Sequence, residues 1–166
     1  KTIRELEESS QKLLEMINTF QKKSIPKSVT GKGFTAWRGR LPWPIKGEVL
    51  VPYGKYTDPK FNIAVFKNGV EIKAKDGYNP TAVAGGQVVY ADWFKGYGKL
   101  IIINHGDGYH SLYGHLTEIF HKTGDIIKQQ TTIGKVGMSE ILDVPTLYFE
   151  LRYKGKPVDP MQWLKK

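Results

Sequence analysis

From Trp43 to the C-terminus the chain is a succession of short β-type runs separated by Gly, Pro, Asn and Asp. Runs rich in Val, Ile, Leu, Phe and Tyr fall at residues 49–51, 63–66, 70–72, 87–91, 99–103, 110–116, 132–136 and 147–153. Segments this short, at this spacing and with no repeated helical crossover between them, predict a mainly β domain: an antiparallel sandwich or barrel. Glycine supplies 18 of the 166 residues, as many tight turns require. Asn68-Gly69, between two of the runs, is the strongest local hairpin signal. A doubly wound nucleotide-binding fold is disfavoured by the same pattern.

Residues 1–23 read differently. Ile3, Leu6, Ser10, Leu13, Ile17 and Phe20 follow a 3-4-3-4-3 spacing with charged flanks, predicting a helix that is either the end of a coiled coil or an amphipathic helix lying on the domain. Residues 24–42 are basic and rich in Gly and Pro and are expected to be a linker, which places the β domain at 43–166. Whether Arg38 and Arg40 near Trp37 dock on that domain is left open by the sequence. The polar Lys1-Thr2 start suggests a piece of a longer chain, and no apolar run is long enough to span a bilayer.

The net charge is +9, almost all of it after residue 23. A basic chain suits nucleic acid, an anionic wall or a protein partner, but no recognition helix or RNA-binding motif is present, so nucleic acid is not expected. With no cysteine, zinc ribbons, disulfides and thiol catalysis are excluded. His105, His110, His115 and His121 lie close together, yet spacings of five and six cannot put all four on one strand face, and Asn104–Gly108 reads as a turn. No metal cluster is expected from them. Gly96-Tyr97-Gly98 lacks the following helix that a phosphate loop needs.

Several motifs in order carry a resemblance. Residues 84–93, Gly96–Gly106, Leu112-Tyr113-Gly114-His115-Leu116, Ile133–Gly137 and Leu147–Arg152 with Val158-Asp159-Pro160 and Trp163-Leu164 resemble the lysostaphin-type (LytM) metallopeptidase domain. The resemblance covers roughly residues 43–166. Active members of that family hold zinc at three positions that here match Lys67, Glu71 and Tyr148, and use two further histidines at positions that match His115 and Thr146. An ammonium has no lone pair and a phenol titrates near 10, so the resemblance implies no metal, no cofactor and no peptidase chemistry. An ion pair between Lys67 and Glu71 is expected in the metal's place.

Within the family, Pro145–Arg152, Ala91–Gly98 and the Trp43–Gly47 entrance are most similar to murein hydrolase activators of the EnvC type. That branch implies an extracytoplasmic, periplasmic protein that switches on a cell-wall amidase during daughter-cell separation and answers to a division membrane complex through a coiled coil. Peptidoglycan itself is a further expected ligand. The implied binding surface is the former cleft, lined by Lys67, Glu71, Trp93, Tyr113, His115, Thr146, Tyr148 and Arg152. The alternatives are a zinc-dependent peptidoglycan endopeptidase and a cell-wall-binding module.

Overall fold

The structure is a computed structural model that describes residues 3–20, 33–75, 78–138 and 144–166, with the helix's side chains from residue 8 onward. Helix α1 (Ile3–Phe20) precedes β1 (Val49–Val51), β2 (Gly54–Asp58), β3 (Ile63–Lys67), β4 (Val70–Lys73), β5 (Gly86–Phe94), β6 (Gly98–Gly106), β7 (Tyr109–Ile119), β8 (Ile126–Ile127), β9 (Gly134–Met138), β10 (Pro145–Tyr153) and β11 (Lys156–Val158). Nine of the strands form one antiparallel sheet in the order β1-β4-β10-β9-β7-β6-β5-β8, with β11 on β10; β2 and β3 form a separate ribbon. The fold is mainly β, as the short runs predict; seven of the eight runs fall within strands and the run at 132–136 overlaps β9 from Gly134.

Period-two alternation gives the sheet two apolar faces. Ile101 and Ile103 of β6, Tyr113 of β7 and Leu147, Phe149 and Leu151 of β10 join Phe34, Leu41, Ile45 and Trp163 in one core. Leu100 and Ile102 of β6 and Leu112 of β7 face the other way, where Leu13, Ile17 and Phe20 of α1 cover them. The seam positions Leu13, Ile17 and Phe20 are therefore spent on the domain itself. Each of its three buried side chains contributes about 1.5–3 kcal/mol of burial.

Two expectations are corrected. Asn68-Gly69 does not close a hairpin, because β3 pairs with β2 while β4 pairs with β1 and β10. Burying Val70 and Ile72 completely in the large sheet outweighs the local turn preference. Gly69 is needed for a different reason: a Cβ there would lie 2.4 Å from the Phe149 carbonyl oxygen. The domain also begins before residue 43. Phe34, in a short 3-10 turn at Phe34–Trp37, stacks on His105 and Tyr109 with ring centroids 4.9 and 4.7 Å away, and Leu41 bridges to Leu164. Arg38 docks, donating from Nη2 to Gln162 Oε1 at 2.8 Å with its guanidinium over the Trp163 ring. Residues 21–32, including most of the expected linker, lie outside the described residues.

Candidate functional site

The sheet register assembles the positions that the resemblance singles out. Glu71 on β4 lies opposite Tyr148 on β10, which lies opposite Gly114 on β7, so one row across three strands ends beside His115. Cross-strand neighbours stand about 5 Å apart, close enough for side chains to touch. The His115 and Tyr148 rings stack at 5.6 Å, and Tyr97 packs edge-on to Tyr148 at 5.6 Å. His115 has φ 62, where β7 leaves β10 and continues on β9. A left-handed residue at such a break is a costly backbone state, and such states recur at functional positions. Thr146, two residues before Tyr148, is fully buried and donates to the Val144 carbonyl at 2.9 Å.

Along β10 the same face continues as Glu150 and Arg152. Tyr148 donates its hydroxyl proton to Glu150 Oε2, and Arg152 donates from Nε to Glu150 Oε1 at 2.7 Å and from Nη1 to the Gly155 carbonyl at 2.9 Å. Burial first, and then the Glu150 charge, raise the Tyr148 and Tyr97 phenols above their usual range. Glu150 and Arg152 are both fully buried. Arg152 is thus not the free cation that a groove wall would offer. It braces Glu150.

Lys67 and Glu71 close no ion pair within 4 Å. The Lys67 ammonium lies over the Tyr56 ring at 5.7 Å, because β3 belongs to the separate ribbon and aims the side chain along it. Glu71 is buried, which pushes its carboxyl upward, and the Lys67 charge counters that rise without cancelling it. The expected pair is reduced to an electrostatic neighbour.

A zinc ion does not fit these residues. Lys67 can only donate, the Tyr148 proton is committed to Glu150 and held there by burial, and Glu71 is a single ligand. Among the described residues no three His, Cys, Asp or Glu side chains converge as an ion would require. Asn104 and His105 lie in strand β6, not in a turn, and only Asp107-Gly108 turns.

Two expected groove residues lie elsewhere. Tyr113 is fully buried on the opposite face, where its hydroxyl accepts the Val83 N–H at 3.0 Å, because alternation turns it away from Tyr148. Trp93 is 61% exposed near the end of β5 and joins neither core. The residues missed by sequence reasoning are His110, Leu112, Glu150 and Tyr97, and α1 itself as their cover. Counting by twos from Tyr148 finds Glu150, and from Leu112 finds His110.

Helix α1 lies along this floor. Ser10 Oγ accepts from Asn68 Nδ2 at 3.3 Å, Leu13 and Ile17 fill the centre, and Phe20 reaches the His110 ring at 6.5 Å. A Cβ on Gly155 would meet Asn18 Oδ1 at 2.6 Å, so the helix also seats on the β10–β11 turn.

A family model described as Peptidase family M23 matches residues 65–160, more than half of the chain. The chain belongs to peptidase family M23. Among its relatives, "Murein hydrolase activator EnvC" of Escherichia coli (strain K12) is 35% identical over 146 residues, which is 88% of this chain and 33% of that protein. "Murein hydrolase activator NlpD" of the same strain is 34% identical over 139 residues, 81% of this chain and 33% of that one. The structure of the antimicrobial peptidase lysostaphin from Staphylococcus simulans matches with a TM-score of 0.63 at 25% identity, over 75% of this chain and 52% of that chain. The chain spans about a third of the length of these two curated relatives. Proteins named as activators and proteins named as peptidases therefore share this fold.

Proposed function

We propose that this M23 domain is a non-catalytic activator of a peptidoglycan amidase of the N-acetylmuramoyl-L-alanine class, acting outside the cytoplasm in cell division, and that it binds the amidase through the former catalytic cleft. The observation that carries the reading is the cleft's content. The positions matching the metal ligands hold Lys67, Glu71 and Tyr148, and the floor around them takes an amphipathic helix, since it already holds one. Relatives named as murein hydrolase activators support the activator class and, murein being wall material, support a setting outside the cytoplasm.

The mechanism that follows is exchange. In the closed state α1 occupies the floor with Leu13, Ile17 and Phe20. A partner helix with apolar residues at similar spacing competes for the same surface, and an upstream pull on α1 by a division membrane complex shifts the population to the open state. A partner that must first displace α1 binds more weakly by the open fraction, so the helix sets the threshold for activation.

The test is amidase stimulation by the chain and by Lys67→Glu, Tyr148→Ala and Arg152→Glu, each checked for fold by circular dichroism. Stimulation by the parent chain with loss in the variants supports the reading. Equal stimulation by all four removes the cleft assignment, and wall cleavage by the chain alone, abolished by a chelator, returns it to the peptidases.

A further inference from the structure

Among the described residues most buried side-chain polar atoms have partners, and the exceptions lie on the α1 face of the sheet. Among the described residues, the buried side-chain nitrogens with no hydrogen-bond partner are His110 Nδ1, His110 Nε2 and Arg152 Nη2. All three lie on the cleft floor, on residues 0% and 1% exposed. Leaving such polar groups dry, a guanidinium N–H and both nitrogens of a neutral imidazole, is costly, and native interiors seldom do so without a reason. Over His110 the helix presents the Phe20 ring, 6.5 Å away, which carries no acceptor.

We propose that the partner segment that replaces α1 carries a carboxylate at the register position of Phe20, received by Arg152 Nη2 and by the His110 ring. The inference rests on the cleft reading given above and adds the chemistry of the occupant. A carboxylate suits the three nitrogens because it only accepts, through several lone pairs, and pairs with a guanidinium most strongly. The groups that bear on His110 are His105 from β6 and Arg152 from β10, with Phe20 above, and the Arg152 guanidinium is itself faced by Glu150, Tyr97 and Tyr148; burial first, and then the neighbouring His105 and Arg152, hold the imidazole neutral under α1. A carboxylate arriving beside it reverses that balance, so His110 takes up a proton as the pair forms. Helix α1 is then a deliberately incomplete ligand: it matches the shape of the floor and leaves its donors unmet, so the true partner can displace it.

The experiment places the acceptor in cis, in the full chain. Phe20→Glu, Phe20→Gln and Phe20→Met are compared by hydrogen exchange of the α1 amides, and the His110 ring nitrogens are followed by 15N chemical shift. At pH 6 the expected result is α1 protection about tenfold greater in Phe20→Glu than in Phe20→Met, with a doubly protonated His110. The advantage is present at low pH and is lost as pH rises through the elevated His110 pKa. If Phe20→Met protects as well as or better than Phe20→Glu, or Phe20→Glu loses the native sheet, the inference is overturned. Equal protection by Phe20→Gln and Phe20→Glu at every pH overturns the carboxylate in favour of a neutral acceptor. The parent chain's amidase stimulation is measured in parallel; its absence alongside a clear Phe20→Glu advantage sinks the amidase reading and leaves the floor's preference standing.

Discussion

His105 and His110 are five residues apart in one β-hairpin, and they report on opposite faces of the same sheet. On the Phe34 face, His105 Nδ1 donates to the Gly85 carbonyl at 2.7 Å, Nε2 meets Ser111 Oγ at 2.7 Å, and Ser111 is linked to the Tyr113 hydroxyl at 2.8 Å, which in turn accepts the Val83 N–H. A carbonyl can only accept, so Nδ1 carries the proton and the chain of bonds closes without a gap. On the α1 face, His110 is equally buried and bonded to nothing. One face is finished as a core; the other is finished as a contact with something removable. The fold devotes its specificity to the first and keeps the second adaptable.

The comparison breaks first under cavity mutations. Phe149→Ala on the Phe34 face should lower global stability by about 3–5 kcal/mol, read by denaturant unfolding. Ile17→Asp on the α1 face should instead release the helix, exposing it to limited proteolysis and raising amidase stimulation, while the sheet keeps its own unfolding midpoint. If Ile17→Asp unfolds the sheet along with the helix, the two faces are one cooperative unit.

Acid gives a finer separation. Burial lowers His105 to about 4 and His110 to about 3 from an ordinary 6.5, the charge of Arg152 also weighing on His110. Both histidines are therefore protonated more readily in an open or unfolded state, so the folded state is fully stable above pH 6.5 and loses up to about 1.4 kcal/mol per pH unit and per histidine as pH falls toward 4. For His110 lifting α1 suffices, whereas for His105 the Phe34 core must open. Exchange of the α1 amides, corrected for intrinsic rate, should speed up by as much as tenfold per pH unit over that range. In His110→Gln that dependence should disappear, leaving the His105 contribution to global unfolding. The smallest effect belongs to Trp93→Ala, expected to change stability by less than about 0.5 kcal/mol and stimulation not at all, because the side chain is exposed and outside both cores.

Much of this was legible in the sequence, and the failures share a cause. Period-two runs identified the strands because alternation is a local property. The motif order located Glu71, Tyr148, His115 and Thr146, which the register then gathered. The heptad spacing of α1 identified the helix but not its partner, since a seam of Leu13, Ile17 and Phe20 suits a second helix or a sheet equally well. Tyr113 belongs to the same motif as His115, yet its parity relative to Tyr148 puts it behind the sheet. Asn68-Gly69 carried a hairpin signal that pairing with distant β10 overrode. Phe34 and Leu41 stand in a Gly- and Pro-rich stretch that reads as a linker, and the composition hides two buried anchors. In each case the deciding contact joins residues remote in sequence.

The most direct test of the account is native-state hydrogen exchange of the unmodified chain, comparing α1 with β6 and β7. The account predicts that α1 amides exchange through a local opening of distinctly lower free energy than that governing the central strands, and that an amidase bound in the cleft abolishes this α1 protection while leaving the strands unchanged. Exchange of α1 only with global unfolding, at the same free energy as β6 and β7 and indifferent to the amidase, would contradict it.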